Sequence, residues 1–149
     1  QTGFAIANPA SSAVTVNFEL ANLDGTATGL AGPVSVPGNG QVAMFLNQVE
    51  GLRSLQTPFR GLLRISGSGI SVVGLRGRYN QRGDFLITTT SPVDEAAAAS
   101  RAESGFAHLV DGGGYTTQFI LFSGAAGLPS SGTVRVFDQA GQPLTLGLR

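Results

Sequence analysis

The strongest β-strand signal of the chain lies in residues 59–90, which read FRGLLRISGSGISVVGLRGRYNQRGDFLITTT. A short apolar run at 62–65 is stopped by the sequence SGSG, which has the composition of a turn. Residues 70–79 are rich in β-branched and aromatic side chains, and the sequence NQRGD at 80–84 turns the chain again before a last strand, FLITTT. This pattern predicts a three-stranded meander with two tight turns.

Alternation of apolar and polar residues marks further strands on both sides of the meander. It is cleanest at 13–21, where the sequence AVTVNFELA places its large apolar side chains on one face of a half-buried strand. The Asp24-Gly25 pair behind this strand is a strong hairpin signal. Weaker strand patterns occupy 1–7, 33–36, 41–46, 105–111, 115–122, 133–137 and 143–148.

Helix signals are few in this chain. Residues 47–57 lack alternation and are predicted to form one or two helical turns. Residues 91–103 combine a capping Ser91, Pro92 at the first helical position and four alanines, and a short surface helix and an extended connector fit this segment equally well. We therefore predict an all-β fold, an antiparallel β-sandwich of Ig-like or jelly-roll-like type with about ten strands and at most one short helix.

An internal repeat accompanies this pattern. The tripeptide GFA at 3–5 recurs at 105–107, and each copy is followed by a turn and then by a strand, around Phe18 or Phe119. The second copy ends without the meander. This is expected if the sequence covers about one period of an array of such repeats, or if a neighbouring subunit supplies the missing strands. We predict one domain spanning 1–149, with a weak duplication whose parts are 1–90 and 105–149, joined by 91–104.

The composition limits the classes of function. Charged residues make up 12% of the 149 residues, about half of the roughly 25% that is usual in globular domains. The formal net charge is zero, which argues against a nucleic-acid partner, because phosphate binding requires a basic excess. The absence of cysteine excludes disulfides and thiolate metal sites, and no apolar run approaches the ~20 residues of a membrane-spanning helix. A weakly charged, neutral surface favours association between copies.

Residues 59–90, with GFAIANP before them and GGGYTTQFILF after them, resemble repeat units of Gly-rich secreted and cell-surface proteins of environmental bacteria. The similarity spans most of the chain. It implies an extracellular β-sandwich and brings no catalytic residues with it. A chain that starts at Gln1 fits a mature secreted protein, and a domain taken from a longer chain would look the same.

No catalytic constellation is visible in the sequence. His108 is the only histidine, and no acid and nucleophile are placed near it to form a triad. Asp24 and Asp111 each lie next to glycine and are able to contribute to calcium binding, but turn formation is the stronger explanation for both. We therefore expect no catalytic residues, no metal and no cofactor, and a protein that is not an enzyme.

One group of side chains is a candidate surface for a glycan or a protein partner. Arg76, Arg78 and Tyr79 end a predicted strand, and Arg82 follows in the turn. Arg82 also begins the tripeptide Arg-Gly-Asp, which some animal cell-surface receptors recognise and which is also ordinary turn chemistry. The alternative reading of the arginines is a solvated strand edge, because exposed charges deter unwanted pairing.

These observations favour a non-enzymatic extracellular structural protein that assembles head-to-tail with copies of itself into a surface fibre. The expected route is strand addition by the terminal segments, in which one copy completes a sheet of the next. The candidate subunit contacts are Gly3, Phe4, Ile6, Leu144 and Leu146. The alternative is an adhesion or carbohydrate-binding module of a larger secreted protein, with surface polysaccharide as its partner.

Overall fold

The computed structural model describes residues 1–95, 97, 105–110, 112–119 and 132–145. The chain divides into two compact units, Gln1–Val93 and Asp94–Arg149. The single domain with an internal duplication stays a prediction.

Seven strands make up the N-terminal unit, and they confirm the all-β, antiparallel character predicted from the sequence. They are β1 (Thr2–Asn8), β2 (Val14–Asn22), β3 (Ala27–Val36), β4 (Gly40–Phe45), β5 (Gly61–Ser66), β6 (Ser71–Tyr79) and β7 (Phe85–Thr90). One sheet has the order β4-β1-β6-β7 and the other the order β3-β2-β5, with antiparallel pairing throughout. Two 3₁₀ turns, Leu46–Gln48 and Glu50–Leu52, confirm the predicted helical turns after β4.

The predicted three-stranded meander is wrong in its pairing. β6 and β7 form a hairpin, but β5 pairs with β2 in the other sheet. The register explains this choice, since Leu63 and Ile65 of β5 lie opposite Leu20 and Phe18 of β2 and extend the apolar face of that strand. The SGSG turn, with Gly69 at φ +67°, then carries the chain from one sheet to the other. Strand positions were therefore readable from the sequence, whereas their partners were not.

Both sheets contribute side chains to one hydrophobic core. The rings of Phe4 on β1 and Phe18 on β2 have centroids 4.3 Å apart, and both are fully buried. Leu52 of the second 3₁₀ turn and Val49, which lies between the two turns, are buried in the same cluster. The whole buried apolar cluster consists of Phe4, Ile6, Val16, Phe18, Leu20, Val36, Leu46, Val49 and Leu52.

Asn8, at the end of β1, is the one buried polar side chain among the described residues. Its Nδ2 group donates hydrogen bonds to the carbonyl oxygens of Ser12, Val36 and Pro37 at 2.8, 3.2 and 3.1 Å. Its Oδ1 accepts a hydrogen bond from the Ala10 N–H at 3.1 Å. The carboxamide thus ties the end of β1 in one sheet to the segments that precede β2 and end β3 in the other.

In the C-terminal unit, two short strands, β8 (Val136–Phe137) and β9 (Pro143–Leu144), form a hairpin. The carboxylate of Asp138 holds the turn by accepting hydrogen bonds from the N–H groups of Ala140 and Gln142 at 2.9 and 2.8 Å. The described part of the chain therefore contains nine strands in three sheets, and the total of about ten for the whole chain stays a prediction.

The strands predicted at 105–111 and 115–122 are absent from the described parts of these segments, where an isolated bridge joins Gly112 to Tyr115. A strand requires a hydrogen-bonded neighbour, and the described residues of this unit supply one only at the bridge and at the β8–β9 hairpin. Alternation in the sequence is therefore not enough here.

Most of the predicted helical segment, 91–103, lies outside the described residues. Residues 91–95 and 97 are not helical. One contact in the C-terminal unit parallels the N-terminal core, because the rings of Phe106 and Phe119 lie 4.9 Å apart, as Phe4 and Phe18 do at 4.3 Å. These are the phenylalanines that the repeat places in corresponding positions.

Candidate functional site

The arginines and the tyrosine predicted to form one surface lie on opposite faces of β6. Gly74 of β6 pairs with the buried Phe4, so its side of the sheet is the core side, and alternation places Arg76 and Arg78 on that side as well. Tyr79 projects from the opposite, outer face and is 68% exposed. The two arginines therefore share a face, as expected, but Tyr79 does not join them.

The β6–β7 turn presents Arg82 at its tip. Asn80 organises the turn, because its Oδ1 accepts hydrogen bonds from the N–H groups of Arg82 and Asp84, both at 2.9 Å. The guanidinium of Arg82 lies 3.2 Å from the carboxylate of Asp84, and Gly83 adopts the left-handed conformation that the turn requires. Together with Arg78, Tyr79 and Gln81, this turn lines a shallow depression of about 440 Å³.

β7 is the most exposed strand of the N-terminal unit. All six of its residues are exposed, so the described part of the chain covers neither of its faces completely. Three consecutive large apolar side chains, those of Phe85, Leu86 and Ile87, are 38%, 41% and 55% exposed. Exposed apolar side chains on both faces of one strand are typical of a surface that a partner covers.

An aromatic strip crosses one end of the outer face of the four-stranded sheet. The ring of Phe85 lies between Tyr79 and Phe45, with centroid distances of 4.9 and 6.2 Å. The rings lean over two glycines of the central strands, since a Cβ added to Gly77 would lie 2.5 Å from Phe85 and one added to Gly3 would lie 3.1 Å from Phe45. Glycine in the two central strands thus makes room for aromatic rings from the two outer strands.

We expect Gly77→Val to lower the free energy of unfolding by about 1–3 kcal/mol, because the new side chain overlaps the Phe85 ring. Denaturant unfolding of the variant measures this loss. The same substitution in a Phe85→Ala background serves as the control, since removal of the ring removes the overlap. An equal loss in both backgrounds would show that the ring is not the cause.

The outer edge of β7 carries backbone groups that pair with no strand in the described part of the chain. Gly77 of β6 exchanges two hydrogen bonds with Gln1, at 2.7 and 2.8 Å, so its backbone groups point away from β7. Its partner on β7, Ile87, is therefore in a non-hydrogen-bonded pair, and the N–H and C=O of Ile87 point out of the sheet. The same alternation directs the backbone groups of Phe85 and Thr89 outward. These three residues define the β7 edge.

The opposite edge of the same sheet has the same character. The Phe45 N–H donates a hydrogen bond to Oε1 of Gln48 at 2.7 Å, so it points away from β1, and alternation directs the groups of Gln41 and Ala43 outward too. These three residues define the β4 edge. The N–H of Phe45 already has a hydrogen-bond acceptor in the Gln48 side chain. The backbone groups of Gln41 and Ala43 have no partner strand among the described residues.

The two edges of the four-stranded sheet lack the usual protection. β4 and β7, with the sequences GQVAMF and FLITTT, contain no charged residue and no proline. The edges of the three-stranded sheet differ, because β3 contains Pro33, which has no N–H, and β5 contains Arg64. Sequence reasoning missed this site, although the uncharged, β-branched composition of FLITTT was its signal.

No family model, curated protein or solved structure matches this chain.

The residues predicted to contact a neighbouring subunit differ in their burial. Phe4 and Ile6 are buried in the core, and β1 is paired on both sides, with β4 and β6. Gly3 lies on the outer face beside Phe45. Leu144 is 47% exposed on β9, and Leu146 lies outside the described residues.

The remaining candidates are explained by local structure. The carboxylate of Asp24 accepts hydrogen bonds from the hydroxyl and the N–H of Thr26, at 2.7 and 2.9 Å, and these bonds lower the pKa of Asp24. His108 is exposed and lies outside any strand, and Asp111 lies outside the described residues. Within the described ranges there is no group of three or more potential metal ligands and no helix long and apolar enough to cross a membrane.

Proposed function

We propose that the chain is a non-enzymatic structural subunit that assembles with copies of itself into a surface fibre outside the cell. The observation that carries this proposal is β7, a six-residue strand without charge that exposes apolar side chains on both faces. The backbone groups along its outer edge pair with no other described strand. The extracellular setting rests on the resemblance to repeat units of secreted and cell-surface proteins. Two antiparallel sheets that share one core support a β-sandwich as the subunit.

Strand addition is the mode of association that this surface favours. An added strand satisfies the backbone groups of the β7 edge, while its neighbouring side chains cover Phe85, Leu86 and Ile87. Zero net charge and a charged fraction of 12% leave little electrostatic repulsion between copies. When two copies join through two different surfaces, the pair still has one free surface of each kind, one at either end. Further copies are able to add at both ends, so head-to-tail association builds a filament.

Addition of the terminal segments, the route expected from the sequence, has a cost at the N-terminus. β1 lies between β4 and β6 and carries Phe4 and Ile6 into the core. Its transfer to a neighbour therefore requires an exchange, in which each copy receives the β1 of another. The exposed sheet edges require no exchange, because their backbone groups already point outward.

In the C-terminal unit, none of the described residues is buried. Large hydrophobic side chains that are exposed in this unit include those of Phe106, Tyr115, Val134 and Phe137. Exposed apolar area of this extent favours a chain that is covered in its working state, and copies of the same chain provide that cover in a fibre.

A second candidate function is adhesion, as a module that binds carbohydrate. The depression at the β6–β7 turn favours it, because Arg78 and Arg82 line it together with Tyr79, which is 68% exposed. An aromatic face and hydrogen-bond donors are suited to a sugar ring and its hydroxyl groups. A surface polysaccharide is the ligand that this arrangement would take.

Light scattering combined with negative-stain imaging of the full chain tests the proposal. We expect regular fibres with masses far above the 15.2 kDa of one chain. A monodisperse particle of 15.2 kDa at all accessible concentrations would contradict self-assembly. Saturable binding of a polysaccharide by that monomer would then establish the adhesion function.

A further inference from the structure

We propose that the fibre grows by pairing the β7 edge of one copy with the β4 edge of the next, so that the four-stranded sheets join into one continuous sheet. This inference rests on the proposed self-assembly and names the two surfaces that perform it. The partner at each edge is a second copy of this chain.

Strand direction permits this joint without any rearrangement. The antiparallel order β4-β1-β6-β7 contains an even number of strands, so its two outer strands run in opposite directions. When a second copy is placed beside the first in the same orientation, its β4 runs antiparallel to β7 of the first. The alternation of directions thus continues across the joint, and the same step repeats at every copy.

The backbone groups at the two edges are complementary. The β7 edge presents the N–H and C=O groups of Phe85, Ile87 and Thr89, and pairing Ile87 with Ala43 of the next copy sets Thr89 opposite Gln41. Each of these pairs exchanges two hydrogen bonds in an antiparallel ladder. The ladder ends at Phe45, because Gln48 of the same copy already accepts its N–H hydrogen bond.

The side chains at the joint are equally compatible. Alternation places the side chains of both edges on the outer face, so pairing them keeps the core faces of both sheets on the same side. Phe85 of one copy then lies opposite Phe45 of the next, and the aromatic strip continues from copy to copy. Neither strand contributes a charge, so no like-charge contact opposes the joint.

Pairing of like edges needs two different contacts, β7 with β7 and β4 with β4, to cover both edges of the sheet. Two β7 edges are able to pair around a two-fold axis at Ile87, but this contact closes a dimer and leaves both β4 edges open. Two β4 edges would require the Phe45 N–H that Gln48 occupies. Pairing of unlike edges covers both with a single kind of contact.

Two proline substitutions block the edges one at a time. Ile87→Pro removes an outward N–H of β7, and Ala43→Pro removes an outward N–H of β4, so neither breaks a hydrogen bond of its own sheet. Ile87→Ala and Ala43→Val are the matched controls, because they change the side chain and keep the N–H. Far-ultraviolet circular dichroism and thermal unfolding of all four variants verify that they fold.

We expect each proline variant alone to remain a single chain of 15.2 kDa and each control to polymerise. Mixed in equal amounts, the two proline variants should form a particle of twice that mass and grow no further, since the open β7 edge of one pairs with the open β4 edge of the other. Analytical ultracentrifugation measures all of these masses.

Three other results of these experiments would contradict either the edge pairing or the self-assembly itself. Dimers of Ala43→Pro alone, without further association on mixing, would show β7–β7 pairing and overturn the inference. Fibres that persist in both folded proline variants would also overturn it while leaving the proposed function intact. A wild-type chain that never polymerises would instead overturn the proposed function itself.

Discussion

Replacement of Phe4 by alanine is expected to lower the free energy of unfolding by about 3–5 kcal/mol, the range for a phenylalanine removed from a packed core. The ring is fully buried and contacts the ring of Phe18 at a centroid distance of 4.3 Å. Because Phe4 lies on the central strand β1, its loss leaves a cavity between the two sheets, where neither sheet is able to relax freely. Urea unfolding followed by circular dichroism measures the change.

Phe45→Ala is the matched control, since Phe45 belongs to the same sheet but to its partly exposed outer face. Its loss is expected to be clearly smaller than that of Phe4→Ala. The comparison also separates two roles of Phe4. If Phe4 made its main contact with another subunit, Phe4→Ala would weaken polymers and leave the unfolding of the monomer almost unchanged.

Replacement of Asn8 by alanine is expected to cost about 3 kcal/mol, because each buried polar group left without a partner costs about 1–3 kcal/mol. Its carboxamide joins the carbonyl oxygens of Ser12, Val36 and Pro37 and the N–H of Ala10. Alanine removes all of these bonds at a site where only 2% of the residue reaches solvent. Thermal and denaturant unfolding provide the measurement.

Two further variants define what Asn8 does. Asn17→Ala changes the same residue type at an exposed position of β2 and should alter the stability by no more than a few tenths of a kcal/mol. Asn8→Asp retains an acceptor for Ala10 but turns a carboxylate toward three carbonyl oxygens, and we expect a loss at least as large as that of alanine. Equal stability of the wild type and Asn8→Asp would show that the donated bonds are unimportant.

The core residues and the edge residues are expected to have separate roles. Phe4 and Asn8 are expected to control whether a subunit folds, whereas Ile87 and Ala43 are expected to control whether folded subunits join. The two groups lie in the same four-stranded sheet, on inner strand β1 and on outer strands β7 and β4. Stability and assembly measured on the same four positions therefore separate folding from association.

The positions of most strands in the N-terminal unit could be predicted from the sequence. Alternation in AVTVNFELA and the β-branched run before Tyr79 depend only on which neighbouring residues share a face, and that is a local property of the chain. Turn chemistry was equally local, as the Asp24-Gly25 hairpin and the Asn80 turn show. The two 3₁₀ turns after β4 were predicted for the same reason.

The pairing of the strands and the surfaces that stay open could not be predicted in this way, because they depend on contacts between distant segments of the chain. β5 joined β2 rather than β6 because Leu63 and Ile65 continue the apolar face opposite Leu20 and Phe18, a contact between segments far apart in sequence. The same long-range pairing placed Phe4 in the core and made β4 and β7 the outer strands of the sheet. Whether a backbone N–H points into a sheet or out of it depends on the neighbouring strand, so the edges at Ala43 and Ile87 became visible only after the strands had been placed.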